Sequence, residues 1–169
     1  MTAAVPLRPP AHRVSPRARV LWVAQGATFS LVMAVIVVGL SLGLPDDLPR
    51  SLEITLAVAR WLLLPLVLGS VVVEPVWRYR VHRWEVTEDA VYTLEGWLDR
   101  TWRIVPVSRI QTVDTTRGPL QQLLGLASIS VRTASHAGST GIEHLDAATA
   151  HAVAHDLGLR ANAVRDEAT

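Results

Sequence analysis

The chain contains no cysteine, so disulfides, thiolate metal sites and cysteine nucleophiles are excluded whatever compartment it occupies. Lysine is absent too, and all 16 basic residues are arginine. Set against 15 acidic residues they leave a formal charge of +1, which generates no global field to hold nucleic acid. Gly-rich phosphate loops and nucleic-acid motifs are missing, and no serine sits in a strand–turn–helix elbow of the acyl-transfer type. What the chain has in excess is apolar sequence. Half of its 169 residues are hydrophobic, more than in a typical soluble domain, and they are concentrated toward the front.

Val20 to Leu44 reads VLWVAQGATFSLVMAVIVVGLSLGL, without one charged residue. About 25 residues at about 1.5 Å each exceed a hydrocarbon core of about 30 Å, so the stretch predicts a transmembrane helix. A cleaved signal peptide fits less well: the basic region before the stretch is long, the apolar core is too long, and a second span follows. That second span, from about 54 to 77, is interrupted by Arg60, Pro65 and Glu74. Proline is tolerated in a membrane helix because neighbouring groups re-satisfy the freed carbonyl. Arg60 raises the question of a polar path, as any ionisable residue within a span does. The simpler reading is structural. Arg60 lies near the start of the span beside Trp61, an interface-anchor residue, so its guanidinium can snorkel outward or pair with Glu53.

The charges flanking this anchor, residues 20–77, set its sidedness. Arg8, Arg13, Arg17 and Arg19 precede the first span, Arg78, Arg80 and Arg83 follow the second, and the connecting loop carries Asp46, Asp47 and Glu53 against Arg50. Both termini are therefore expected in the cytoplasm, with a short acidic loop outside. Residues 1–19, rich in Pro, Ala and Arg, read as a disordered basic arm attracted to anionic lipid. Trp77, Arg78, Tyr79, Arg80 and Arg83 form the expected membrane-interface cluster, binding the lipid bilayer where the second span leaves it. No Gly- or Pro-rich linker follows.

From Tyr79 onward the period of the pattern changes. RVHRWEV and AVYTLEGWL are β-rich and separated by Thr87, Glu88 and Asp89, which suit a tight turn. RTWRIVPV, RIQTVDTT, SISVRT and GIEHL follow as short strand candidates, with no long helix between them, so the expectation is an antiparallel sheet or small barrel. GPLQQLLGLA interrupts them: Gly118 and Pro119 open a turn, and Leu120, Leu123 and Leu124 share one face of a short helix. The chain closes with DAATAHAVAHDLG, in which Asp146 is a candidate N-cap, Ala150, Val153, Ala154 and Leu157 an apolar stripe, and Gly158 a C-cap. The cytoplasmic domain is thus bounded at 78–158, leaving 159–169 as a frayed tail.

The stretch from about Trp84 to Leu157 resembles the bacterial PH-like domain family (bPH2), once filed as a domain of unknown function, in its arrangement with paired N-terminal transmembrane helices. The resemblance is carried by Pro106, Arg109, Ile110, Gln111 and Val113 in P-x-x-R-I-Q-x-V, by GPLQQLLGLA, and by the Ser/Thr-rich strand after it. It implies two membrane helices followed by an all-β PH-like split barrel with a C-terminal helix closing one end, and no enzymatic activity. It supplies no catalytic, metal or cofactor residue.

Specific phosphoinositide binding is not expected, because the first hairpin turn carries Glu88 and Asp89 where a phosphorylated headgroup would need cations. His136, His144, His151 and His155 fall in one region, and His151 and His155 have the i, i+4 spacing that could share a metal. Ala152 stands where a hydrolytic zinc helix carries glutamate, so a metal-dependent membrane hydrolase is the weaker alternative, beside an accessory transporter subunit using Arg60. Ser135, His136 and Ser139 read as a hairpin loop. The reading favoured is a non-enzymatic protein of the bacterial inner membrane. Its cytoplasmic module works by contact with other membrane proteins or with itself, without cofactor or nucleic acid. The candidate contact is the GPLQQLLGLA turn: Leu120 and Leu123, rimmed by Arg117 and Gln121, unless its leucines instead plug the barrel end.

Overall fold

A computed structural model describes residues 8–44, 49–97, 99–133 and 140–167, with no side chain described beyond residue 164. The chain divides into two compact units, residues 19–77 and a second unit made of residues 1–18 with 78–169.

In the first unit, helix α1 (Ala18–Gly43) is followed by α2 (Arg50–Leu68), a π-helical turn (Gly69–Val73) and α3 (Glu74–Val81), the last three forming one unbroken helix. Helices of 26 and 32 residues span about 39 and 48 Å, enough to cross a bilayer. The core helix of a soluble protein would be mostly buried, whereas only 6% of each apolar window is buried here. Leu31, Val35, Leu42, Leu64 and Trp61 are exposed, as side chains facing lipid would be. Hydroxyls within the spans bond back to the helix: Thr28 Oγ1 donates to the Ala24 carbonyl at 2.8 Å and Ser41 Oγ to that of Val37 at 2.7 Å. This satisfies them without water.

α1 and the π-helical turn meet through small residues. A Cβ at Gly26 would lie 2.2 Å from the Ser70 carbonyl oxygen, so only glycine admits the approach. One turn on, Ser30 Oγ and Ser70 Oγ are 2.8 Å apart. Ser70 donates its single hydroxyl proton to the Leu66 carbonyl at 2.8 Å, so Ser30 donates to Ser70. Arg60 is exposed, and its Nε donates to the Leu56 carbonyl at 3.3 Å. Pairing with Glu53, the alternative to snorkelling, is not formed; the backbone of the preceding turn takes the guanidinium.

The second unit holds two antiparallel sheets. One has the order β1 (His12–Arg13), β2 (Arg83–Val86), β3 (Ala90–Gly96), β4 (Arg100–Pro106), and the other β5 (Ile110–Thr116), β6 (Leu126–Thr133), β7 (Thr140–Asp146). Thr87 closes the first hairpin turn, its N–H donating to the Ala90 carbonyl at 3.0 Å. Trp84, Val91, Val105, Ile129, Val131, Ile142 and Leu145 form the core between the sheets, and Ala150, Leu157 and Ala161 of α5 (Ala147–Glu167) close it. This is the PH-like arrangement of two antiparallel sheets and a C-terminal helix. Thr93 and Thr140, both buried, satisfy one another at 2.9 Å.

Two boundaries differ from the sequence reading. The arm expected to be disordered contributes β1, whose His12 and Arg13 pair with Trp84 and Arg83. Trp84 Nε1 donates to the Arg13 carbonyl at 3.2 Å, Arg8 meets Glu85 at 2.6 Å, and Ser15 Oγ donates to Asp146 at 2.9 Å. Pro10, Val14 and Ser15 are buried. A Pro/Ala/Arg composition cannot build a core by itself, but here it lies on a surface already built. Likewise α5 does not stop at Gly158. A glycine within a helix costs about 1 kcal/mol, offset by burial of Ala161 and by Arg160, which pairs with Asp156 at 2.8 Å and donates to the Thr87 carbonyl at 3.2 Å. Asp146, the candidate N-cap, directly precedes α5, and the bonds of its carboxylate run to Ser15 and, at 3.7 Å, to Arg17.

Candidate interaction surface

Within GPLQQLLGLA, Pro119–Leu123 forms a single helical turn, α4, opened by Gly118 and closed by Leu124 and Gly125. Gly125 has φ +67°, the left-handed conformation that ends a helix and that glycine adopts without penalty. Gln121 holds the other end. Its Oε1 accepts the Gly118 N–H at 2.9 Å, and its Nε2 donates to Ser128 Oγ at 2.9 Å and to His144 Nδ1 at 2.8 Å. A backbone N–H can only donate, so the amide orientation is fixed. Arg117 Nε donates to the Leu126 carbonyl at 3.1 Å.

These contacts show how the turn is held. Arg117 and Gln121, expected at the rim of a contact surface, fasten α4 to β6 and β7. Leu123 and Leu120, the candidate barrel plug, are 82% and 42% exposed. The core closes with α5 instead. The turn thus presents Leu120 and Leu123 outward beside the exposed Arg117 and Gln122, and commits Gln121 inward.

His144 is a residue that sequence reasoning missed in this role. It has φ +57°, outside the usual range for a non-glycine residue, and sits where the pairing of β6 with β7 slips by one residue between Ala127 and Ile129. Such a bulge turns a side chain away from its strand position. Its N–H donates to Ser128 Oγ at 3.2 Å, and its Nε2 lies 3.6 Å from Glu143. The sequence signal available was slight: histidine is among the few side chains enriched at positive φ.

His144 belongs to a group of titratable side chains with His82, Glu95, Glu143 and Arg78. Burial is the main influence lowering the proton affinity of His144, with Arg78 and His82 acting in the same direction and Glu143 against. Burial also lowers that of His82, whose Nδ1 is 2.9 Å from the Arg78 carbonyl. Burial, then the nearby Glu143, raises that of Glu95. The cleft beside His82, Thr93, Glu95 and Glu143 has a volume of about 10 Å³, room for one water and no organic ligand.

Other candidates are placed apart. Trp77 and Arg80 are exposed, whereas Tyr79 is half-buried with the Arg13 guanidinium 5.8 Å from its ring, and Arg83 Nη1 donates to the Pro10 carbonyl at 3.4 Å. Arg78 is half-buried. His151 and His155 are exposed on α5, and no group of three side chains able to hold a metal occurs among the described residues. Ser135, His136 and Ser139 lie outside the described residues.

The family model described as the bacterial PH domain matches residues 18–161, from the first residue of α1 into α5. The chain belongs to the bacterial PH domain family. A relative within reach of that assignment is the UPF0699 transmembrane protein YdbS of Bacillus subtilis (strain 168). It is 33% identical over 127 residues, covering 75% of this chain and 78% of the relative. No solved structure matches. The bacterial PH domain description names a fold and no reaction, and the relative's name records a membrane protein, consistent with the two apolar helices seen here.

Proposed function

We propose that this bacterial PH domain protein is a non-enzymatic, two-span inner-membrane protein whose cytoplasmic module works by binding another membrane protein or a second copy of itself through α4. The observation that carries the reading is the outward display of leucines on α4, with Leu123 82% exposed, on a turn that Gln121 and the Arg117 Nε bond fasten to the sheet. A turn so fastened holds Leu120 and Leu123 at the surface in one orientation, where an apolar surface of a partner could cover them.

The two-crossing topology has support beyond flanking charge. β1 precedes the first span and pairs with β2, which follows the second. Strands that share hydrogen bonds lie on one side of a membrane, so the number of crossings between them is even. The arginine-rich flanks favour the cytoplasm for that side, with Trp77 and Arg80 at the lipid interface together with Arg78, Tyr79 and Arg83.

The test is Leu123→Asp, read by crosslinking in native membranes and by thermal melting. An exposed position tolerates the charge within about 0.5 kcal/mol, so melting should be unchanged while crosslinks to the partner disappear. A folded variant with undiminished capture would exclude α4 as the contact. A metal-dependent hydrolase using His151 and His155 gains no support, since the two exposed imidazoles have no third ligand among the described residues.

A further inference from the structure

We infer that His144 is an acid-operated latch on α4: a proton added at its Nδ1 removes the acceptor that holds Gln121, and with it the cap on the leucine-bearing turn. The inference follows from hydrogen-bond direction. All of Gln121 is committed, its oxygen to Gly118 N–H and its two amide protons to Ser128 and His144. His144 Nδ1 must therefore accept, which places the ring proton on Nε2, toward Glu143. A protonated imidazole has two donors and no acceptor. Nδ1–H would then face Nε2–H of Gln121, donor against donor. Turning the amide by half a rotation offers Oε1 to His144 but sets the amide nitrogen against Gly118 N–H. Whichever arrangement is adopted, one bond of the chain linking Gly118, Gln121 and His144 is lost.

The surroundings hold the latch closed at neutral pH. Glu143 on β7 favours the imidazolium, whereas Arg78 and His82, at the end of α3, oppose it. Gln121 on α4 and Ser128 on β6 are neutral, and on the arm side the Arg17–Asp146 ion pair is internally compensated at 3.7 Å. Burial outweighs these charges and keeps the ring neutral. The left-handed backbone of His144 and the bulge around it show that the chain takes up an unfavourable conformation at this position. The inference stands independently of what the leucines of α4 meet.

Hydrogen exchange of residues 118–125 in the full chain, held in detergent micelles and corrected for intrinsic rates, tests it. Protection should fall about tenfold between about pH 8 and about pH 5, the size of a lost helix cap. His144→Asn keeps a side chain at ease at positive φ but unable to titrate, and its profile should be flat. Gln121→Glu supplies a carboxylate that accepts from both Gly118 N–H and the imidazolium, so its profile should reverse, with better protection in acid. A flat profile in the unaltered chain overturns the inference. So does an equal slope in the unaltered chain and His144→Asn, which would make His82 or Glu95 the responding group. Should His144→Asn fail to fold, an unreversed slope in Gln121→Glu overturns it equally.

Discussion

Replacing Gly26 by valine should separate the two membrane helices, and the geometry sets the size of the effect. A Cβ at this position lies 2.2 Å from the Ser70 carbonyl oxygen and 2.8 Å from the carbonyl carbon. Both are backbone atoms, so no rotamer change relieves the clash. Carbon and oxygen approach no closer than about 3.3 Å even in favourable contacts, so the helices must part by about 1 Å. The Ser30–Ser70 hydrogen bond, now 2.8 Å, would stretch beyond the limit of about 3.5 Å at which such a contact ceases to be a bond. Overpacking of this kind costs about 1–3 kcal/mol, and the lost interhelical bond about 0.6 kcal/mol. The assay uses Ser30→Cys with Ser70→Cys, in a chain that offers no competing thiol. Those positions are close enough for a disulfide to form under mild oxidation. With both serines replaced only the overpacking cost acts in this assay, and adding Gly26→Val should slow closure by roughly tenfold, at about 1.4 kcal/mol per factor of ten. Gly39→Val, where an added Cβ meets nothing within 4 Å, should leave it unchanged. Equal rates in the two valine variants would refute the claimed approach of α1 to the π-helical turn.

Cysteine at position 155, on the exposed face of α5, should react with an impermeant thiol reagent only after cells are opened, and one at position 47 should react in intact cells; the opposite pattern would reverse the assigned orientation. Ile129→Ala should cost about 2–5 kcal/mol, since Ile129 is 1% exposed at the centre of the core; an unchanged melting temperature would contradict that placement. Burial holds His82 and His144 below the ordinary value of 6.5, so their contribution is complete above that pH and is lost as pH falls through the folded values. Glu95 has the opposite sign: raised above its ordinary 4.5, it stabilises at acid pH and ceases to as pH rises through its folded value. Melting curves of Glu95→Gln should therefore lose stability more steeply on acidification than those of the unaltered chain.

The architecture was readable from the residues because its signals are local. Long, predominantly apolar runs mark the spans, alternation in SISVRT a strand, and Thr87 to Asp89 a turn; the stripe Ala150, Val153, Ala154 and Leu157 marks the core face of α5, each encoded within a few neighbouring positions. What the sequence could not determine depends on partners far away in the chain. The arm at residues 8–18 is ordered only because β2 and Asp146, some 70 to 130 positions later, supply edges and acceptors for it. Gly26 is indistinguishable from Gly39 as a letter, and only the approach of Ser70 makes it irreplaceable. Leu123 and Leu124 share one helical stripe in the sequence, yet tertiary packing leaves Leu123 82% exposed and Leu124 partly covered. Gln121 passed for a surface residue because its three hydrogen bonds run to Gly118, Ser128 and a histidine aimed by a bulge. Local propensity fixes which element forms, whereas the direction of each hydrogen bond and the burial of each side chain belong to surfaces that exist only once the chain has folded.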